Sequence, residues 1–271
     1  MGKLDGKVAI VSGSGRGIGR AVALKLAAEG ARIVVNDLDE APARETADAI
    51  AATGGRAVVC AGSVTEPSFG ERFVATALDT FGGLDIIVNN AGYTWDSVIQ
   101  KMTDEQFQAI MDVHVTAPFR ILRAAAEPIR RFSKAEALEG REVFRKVVNI
   151  SSVSGLGGNP GQVNYAAAKA AVVGMTKTLA KEWGRYKVNV NCVAFGFIKT
   201  RMTQPLTPDS GDSSRKVGVQ PAVIEQLEQH AIPLGRLGTP EVAADGVYLF
   251  CTPESNYISG QVVTVGGGIT F

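Results

Sequence analysis

Short β-branched runs alternate with helix-patterned stretches along the whole chain, and this alternation narrows the possible folds more than any other feature. Residues 8–11 and 33–35 read as central strands, and between them Ile18, Val22, Leu24 and Leu26 follow helical spacing. The same rhythm continues through apolar runs at 57–60, 84–88, 147–150, 188–193 and 262–265, with helical patterns around 69–81, 107–129 and after Tyr165. Strands that are apolar on both faces and separated by helices belong in a parallel sheet covered on both sides. The expectation is therefore a doubly wound, Rossmann-type α/β domain with about seven parallel strands. No linker divides the chain, so residues 1–271 read as one domain.

Two stretches interrupt the rhythm. Residues 132–145 carry Lys134, Glu136, Glu139, Arg141, Glu142 and Arg145, which suggests a solvated helix extension and a turn at Gly140. Residues 203–219 are rich in Pro, Ser, Asp and Gly and precede a helical run at 221–229, so 203–229 is expected to form a substrate lid.

The segment Ser12-Gly13-Ser14-Gly15-Arg16-Gly17-Ile18-Gly19 lies between the first strand and the first helix. Amides at a helix start carry unpaired donors and partial positive charge, and glycines let an anion come close, so this position suits a nucleotide pyrophosphate. The spacing is Gly13-x-x-x-Gly17-x-Gly19 rather than the more familiar Gly-x-Gly-x-x-Gly. Asp37 closes the second strand, where its carboxylate suits ribose hydroxyls and opposes a 2′-phosphate. Arg16 pulls the other way, since a guanidinium can pair with that phosphate. NAD is the expected cofactor, with NADP as the alternative.

A second constellation follows the strand at 147–150. Tyr165 and Lys169 are four residues apart in a helix-forming run and so share one face. An ammonium beside a phenol stabilises the phenolate and is expected to draw its pKa down, making Tyr165 a proton exchanger. Ser152 ends the preceding strand, thirteen residues earlier, where its hydroxyl can reach the same substrate oxygen.

Composition removes other classes of function. With 28 basic and 27 acidic side chains the net charge is +1, too balanced to recruit nucleic acid or an anionic membrane. Cys60, Cys192 and Cys251 are widely spaced and show no paired metal-ligand pattern, so buried, reduced thiols and no metal are expected. Neither a secretory signal nor an 18-residue apolar run is apparent, which points to a cytoplasmic protein.

Taken with Asn89-Asn90-Ala91-Gly92, the 196–200 segment and Ser259-Gly260-Gln261, these motifs make nearly the whole chain resemble the short-chain dehydrogenase/reductase family, in particular 3-oxoacyl-carrier-protein reductases and hydroxysteroid dehydrogenases. The resemblance implies hydride transfer between a nicotinamide cofactor and a secondary alcohol or ketone. It makes Tyr165 the acid/base, has Ser152 polarise the substrate oxygen, and gives Lys169 the nicotinamide ribose. Ser63, Val64, Asn90, Ala91 and Gly92 would line the adenosine side, and Ile198 and Thr200 the nicotinamide amide. 3-Oxoacyl thioesters are the first choice of substrate, although the biosynthetic reductases of this type mostly use the phosphorylated cofactor. Hydroxysteroids or other cyclic alcohols come second, and a non-catalytic nucleotide sensor or structural subunit is the rival from another class. A homotetramer is implied as well. The chain departs from the family pattern at Ser12, Ser63, Phe195 and Gly266. It also carries His114 where the family places a catalytic Asn, which suggests either an imidazole proton relay that adds an acid limb to the pH profile or a core histidine whose ring nitrogens satisfy backbone carbonyls.

Overall fold

The computed structural model describes residues 2–200 and 221–269. Seven strands form one sheet: β1 (Val8–Val11), β2 (Arg32–Val35), β3 (Arg56–Val59), β4 (Ile86–Asn89), β5 (Arg145–Ser152), β6 (Val188–Phe195) and β7 (Val262–Val265). Their order is β3-β2-β1-β4-β5-β6-β7, and every neighbouring pair is parallel. The crossovers are made by helices α1 (Gly17–Ala28), α2 (Glu40–Ala52), α3 (Phe69–Phe81), α4 (Asp104–Met111), α5 (Ala117–Leu138), α6 (Ser154–Gly157), α7 (Val163–Trp183), α8 (Pro221–Gln226) and α9 (Pro240–Leu249).

Side-chain alternation along the strands builds two cores. Ala9 and Val11 of β1 pack on one face with Val22 and Leu26 of α1, Ile50 of α2 and Val247 of α9. Val8 and Ile10 face the other way, toward Phe69 and Phe73 of α3, Ile121 of α5 and Trp183 of α7. Each fully buried aliphatic or aromatic side chain of this kind contributes about 1.5–3 kcal/mol through area removed from water. The strand order turns back between β1 and β4, which opens a crevice at the carboxyl edge of the sheet.

The 132–145 segment is less solvated than its charges suggest. Helix α5 does extend to Leu138, and Gly140 turns the chain with φ +67°. Arg145, however, is buried: it grips the Glu136 carboxylate through two bonds of 2.8 and 2.6 Å and donates a third to the Leu84 carbonyl. Lys146 beside it is buried too, donating to Asn189, Ser255 and Asn256 at 2.7–3.0 Å. Their polarity hid the first two residues of β5, which reads from sequence as starting at 147. All three cysteines are free and buried. Most of the expected lid, 203–220, lies outside the described residues; its remainder is α8 continued by a π-helical turn at Leu227–Ala231. No helix among the described residues is long and apolar enough to cross a membrane.

Candidate active site

The glycine loop between β1 and α1 is held open by neighbours the sequence did not flag. Asn36, buried at the end of β2, accepts from the Gly13 amide at 3.1 Å and donates to the carbonyls of Cys60 and Gly62. Ser12 Oγ accepts from the amides of Asn90 and Ala91 at 3.0 and 3.1 Å, fixing the start of the post-β4 loop. Asn90 returns the favour by donating to the carbonyls of Ser12 and Gly13, both at 3.0 Å. It therefore braces the glycine loop, a role the resemblance had not assigned to it.

The glycines are required by geometry. Gly13 and Gly17 adopt φ of +62° and +54°, and a Cβ on Gly19 would lie 2.1 Å from the Gly13 carbonyl oxygen. Above Gly17 the space is open, and a Cβ there would meet nothing nearer than Thr200 Cγ2 at 3.9 Å. Arg16 at the N-cap of α1 provides no side-chain cap, and no acidic residue occupies the first turn. Uncapped amides below an open cradle fit a pyrophosphate, so the residues present suit a dinucleotide. Ile18 follows Gly17 in this first turn, while Ile198 is buried at a bridge to Gly238 beneath the Thr200 segment.

On the adenosine side, the Asp37 carboxylate lies against the loop: a Cβ on Gly15 would come 2.6 Å from its Oδ2. Arg16 is paired with Asp39 at 3.0 Å. The Ser63 hydroxyl bonds Thr65 Oγ1 at 2.8 Å, and Val64 is buried. The departures at Phe195 and Gly266 are reconciled by packing. Phe195 pairs with Val265 at the end of β6, and a Cβ on Gly196 would lie 2.8 Å from Gly266 Cα, while a Cβ on Gly266 would meet Ile269 Cγ2 at 2.7 Å, so both glycines sit in tight packing.

The Ser152 hydroxyl stands near enough to the Tyr165 phenol to favour its ionised form, and the Ser154 amide donates to Ser152 Oγ at 3.2 Å. Lys169 is buried, with Nζ 5.5 Å from the tyrosine ring centroid and donating to the Ile150 carbonyl at 2.8 Å. Their acid–base balance differs from the sequence expectation. Burial pushes the Tyr165 phenol up to about 12, the Ser152 hydroxyl offsets part of this, and the Asp96 carboxylate adds to it. Lys169 does not lower it, because the ammonium is itself penalised by burial and drawn down to about 8. Tyr165 is thus held as a proton donor at neutral pH.

His114 sits on a π-helical turn, Asp112–Thr116, between α4 and α5, with its ring edge-on to Tyr165 at 5.2 Å between centroids. Such local bulges recur at functional sites. Gly92 makes room for it, since a Cβ there would overlap the imidazole at 2.0 Å from Cε1. Nε2 lies 2.8 Å from the Tyr93 carbonyl and must donate to it, which leaves Nδ1 as a buried acceptor with no partner among the described residues. Burial, with the Lys169 charge adding to it, holds the imidazole well below its usual pKa. The ring is neutral at physiological pH, so the expected acid limb moves out of the ordinary range.

A seven-stranded parallel sheet, a glycine cradle at its switch point and a Ser–Tyr–Lys cluster beside the cradle define a nicotinamide-dependent oxidoreductase. Residues 13–270 match the family described as enoyl-(acyl carrier protein) reductase. The chain is 38% identical over 271 residues to a 3-oxoacyl-[acyl-carrier-protein] reductase of Synechocystis, covering 99% of each protein. It is 39% identical over 267 residues to the enzyme of that name from Vibrio cholerae, covering 98% of each, and 38% identical over 261 residues to a short-chain reductase protein of Streptomyces niveus, covering 96% of this chain and 93% of that one. The chain belongs to the short-chain dehydrogenase/reductase family.

Proposed function

We propose that the chain reduces 3-oxoacyl thioesters to 3-hydroxyacyl thioesters, with NADH as the preferred hydride donor. The observation that carries this reading is the gathering of Ser152, Tyr165 and Lys169, with Lys169 Nζ 5.5 Å from the tyrosine ring, in a chain similar over its full length to 3-oxoacyl-carrier-protein reductases. A bound reduced nicotinamide supplies the hydride that the carbonyl carbon receives. Tyr165 gives its proton to the carbonyl oxygen, and Ser152 donates a hydrogen bond to the same atom, so the charge developing there is met as it forms. Gly13, Gly17 and Gly19 would cradle the pyrophosphate, Asp37 the adenosine ribose, Ser63, Val64, Ala91 and Gly92 the adenosine side, and Lys169, Ile198 and Thr200 the nicotinamide end.

His114 would return a proton to Tyr165 by taking one from solvent transiently at Nδ1, the unpaired acceptor among the described residues, and passing it to the phenolate, with Nε2 anchored on Tyr93. NADH is favoured because Asp37 faces the loop while Arg16, the cation that could meet a 2′-phosphate, is engaged by Asp39. A homotetramer is supported by apolar side chains left on the surface: Val263 on edge strand β7, Tyr257 and Ile258 just before it, and Phe107 and Phe119 on α4 and α5.

The test follows cofactor oxidation at 340 nm across 3-oxoacyl thioesters and cyclic ketones with each cofactor. Turnover of the thioester, with NADH favoured by at least about tenfold in kcat/KM, or about 1.4 kcal/mol, is expected. Turnover of cyclic ketones alone would move the substrate class, and preference for NADPH would show that Arg16 leaves Asp39 and prevails over Asp37.

A further inference from the structure

Gln162 lies three residues before Tyr165 and joins three separate pieces of chain. Its Oε1 accepts from Ser154 Oγ at 3.1 Å and from Asn159 Nδ2 at 3.0 Å, and its Nε2 donates to Asp96 Oδ2 at 2.8 Å. Asp96 belongs to the loop after β4, Ser154 to the start of the short helix α6, Asn159 to the turn after it, and Gln162 to the entry of α7. We propose that the Gln162 amide, oriented by the Asp96 carboxylate, is the positioning device that sets the Ser152 hydroxyl against the Tyr165 hydroxyl. This rests on the reading of Ser152 and Tyr165 given above.

The connection to the reacting groups is short. Ser154 is the link, because its side chain bonds Gln162 while its backbone amide donates to Ser152 Oγ. An accepted bond at that oxygen leaves the Ser152 proton free to be donated toward the tyrosine and substrate. The other side of the device is stitched down independently of Gln162: the Ser97 amide donates to the Gly161 carbonyl at 2.9 Å, and Asn164 Nδ2 donates to the Trp95 carbonyl at 3.0 Å. A Cβ on Gly155 would come 2.6 Å from Lys169 Cβ, so the post-β5 turn also presses directly on α7. Chain pieces on both sides of Tyr165 are thereby held in register. A shift of about 1 Å in such a site costs on the order of 10² in rate.

The arrangement has a direction. An amide both accepts and donates, and only the orientation found here satisfies two hydroxyl or amide donors on one side and a carboxylate on the other. Asp96 is also the charge that raises the Tyr165 phenol, acting with burial and against the Ser152 hydroxyl. The remaining groups facing the tyrosine are Lys169 from its own helix and the neutral His114 from the π-helical turn. Asp96 itself is raised by partial burial and lowered by the Gln162 bond.

Four variants test the device, each scored by kcat for thioester reduction, cofactor Kd and thermal melting. Gln162→Glu sets a carboxylate against Asp96 and is expected to lower kcat by about tenfold or more, with cofactor Kd within about twofold. Adding Asp96→Asn reverses the polarity of that bond and lets the carboxylate at 162 keep accepting from Ser154 and Asn159, so the double variant should regain most of the lost kcat. Asp96→Asn alone keeps an acceptor and removes the charge. It is expected to lower the pH at which the Tyr165 phenol ionises, read as the pH profile of tyrosinate absorbance against Tyr165→Phe, which a purely structural contact would not do. Tyr165→Phe is the control. Turnover retained there overturns the reading of the site and the proposal with it. An inactive Tyr165→Phe beside a folded Gln162→Glu with kcat within about twofold of the parent overturns the proposal alone, as does a double variant no better than Gln162→Glu or an unmoved pH profile in Asp96→Asn.

Discussion

At the scale of single residues, burial decides which group can hold a proton. Tyr165 is pushed up to about 12 and Lys169 down to about 8, so over ordinary pH the phenol stays protonated while the lysine is the group that titrates. Carbonyl reduction needs the protonated phenol, and on the proposed reading the Lys169 cation holds the nicotinamide end of the cofactor. Its kcat should therefore hold steady below pH 8 and fall as pH rises through about 8, and a profile flat to pH 9.5 would remove Lys169 from the chemistry. His114, held well below 6.5, should add no limb between pH 6 and 8. His114→Leu tests its relay: a fall of about tenfold or more in kcat with unchanged cofactor affinity is expected, and kcat within about twofold would reduce the ring to a packing role. Tyr165, Lys169 and Ser152 were legible because one helical spacing and one strand end announce them. Asn36, Asp96 and Gln162 were not, because a polar residue at a strand end or helix entry looks like a turn former until tertiary structure gives it partners.

At the scale of elements, the alternation of apolar runs and helical patterns located every strand, because a parallel sheet buried on both faces tolerates little else. It failed at the start of β5, where Arg145 and Lys146 enter the interior with dedicated polar partners. The Arg145–Glu136 pair, with side chains 5% and 12% exposed, ties the long helix α5 to the strand that carries Ser152. Arg145→Met would strand the Glu136 carboxylate and should destabilise the protein by about 3–5 kcal/mol in chemical denaturation. Adding Glu136→Leu should recover much of the loss. A single variant within about 1 kcal/mol of the parent would mean the pair is solvated after all, as the charge pattern alone had suggested.

At the scale of the molecule, the sheet order puts the glycine loop, the post-β4 loop and the Ser152 turn on one edge, so cofactor cradle and proton donor face a common crevice. That convergence follows from topology, which is why local motifs were enough to point to the candidate site. Assembly was less legible, since the apolar stripe of a helix can cover a sheet or a second subunit equally well. Light scattering coupled to size exclusion should give four chains per particle, and Val263→Lys on the edge strand should lower that number; a monomer would leave the exposed apolar residues of β7 without that explanation. The central claim is that Tyr165 delivers the proton in hydride-dependent ketone reduction, and the most direct measurement is the kcat of Tyr165→Phe for a 3-oxoacyl thioester, with cofactor Kd taken by fluorescence. A loss of about 10²–10⁴ in kcat at unchanged Kd is the expected result, and a variant that keeps the parent kcat would contradict the account.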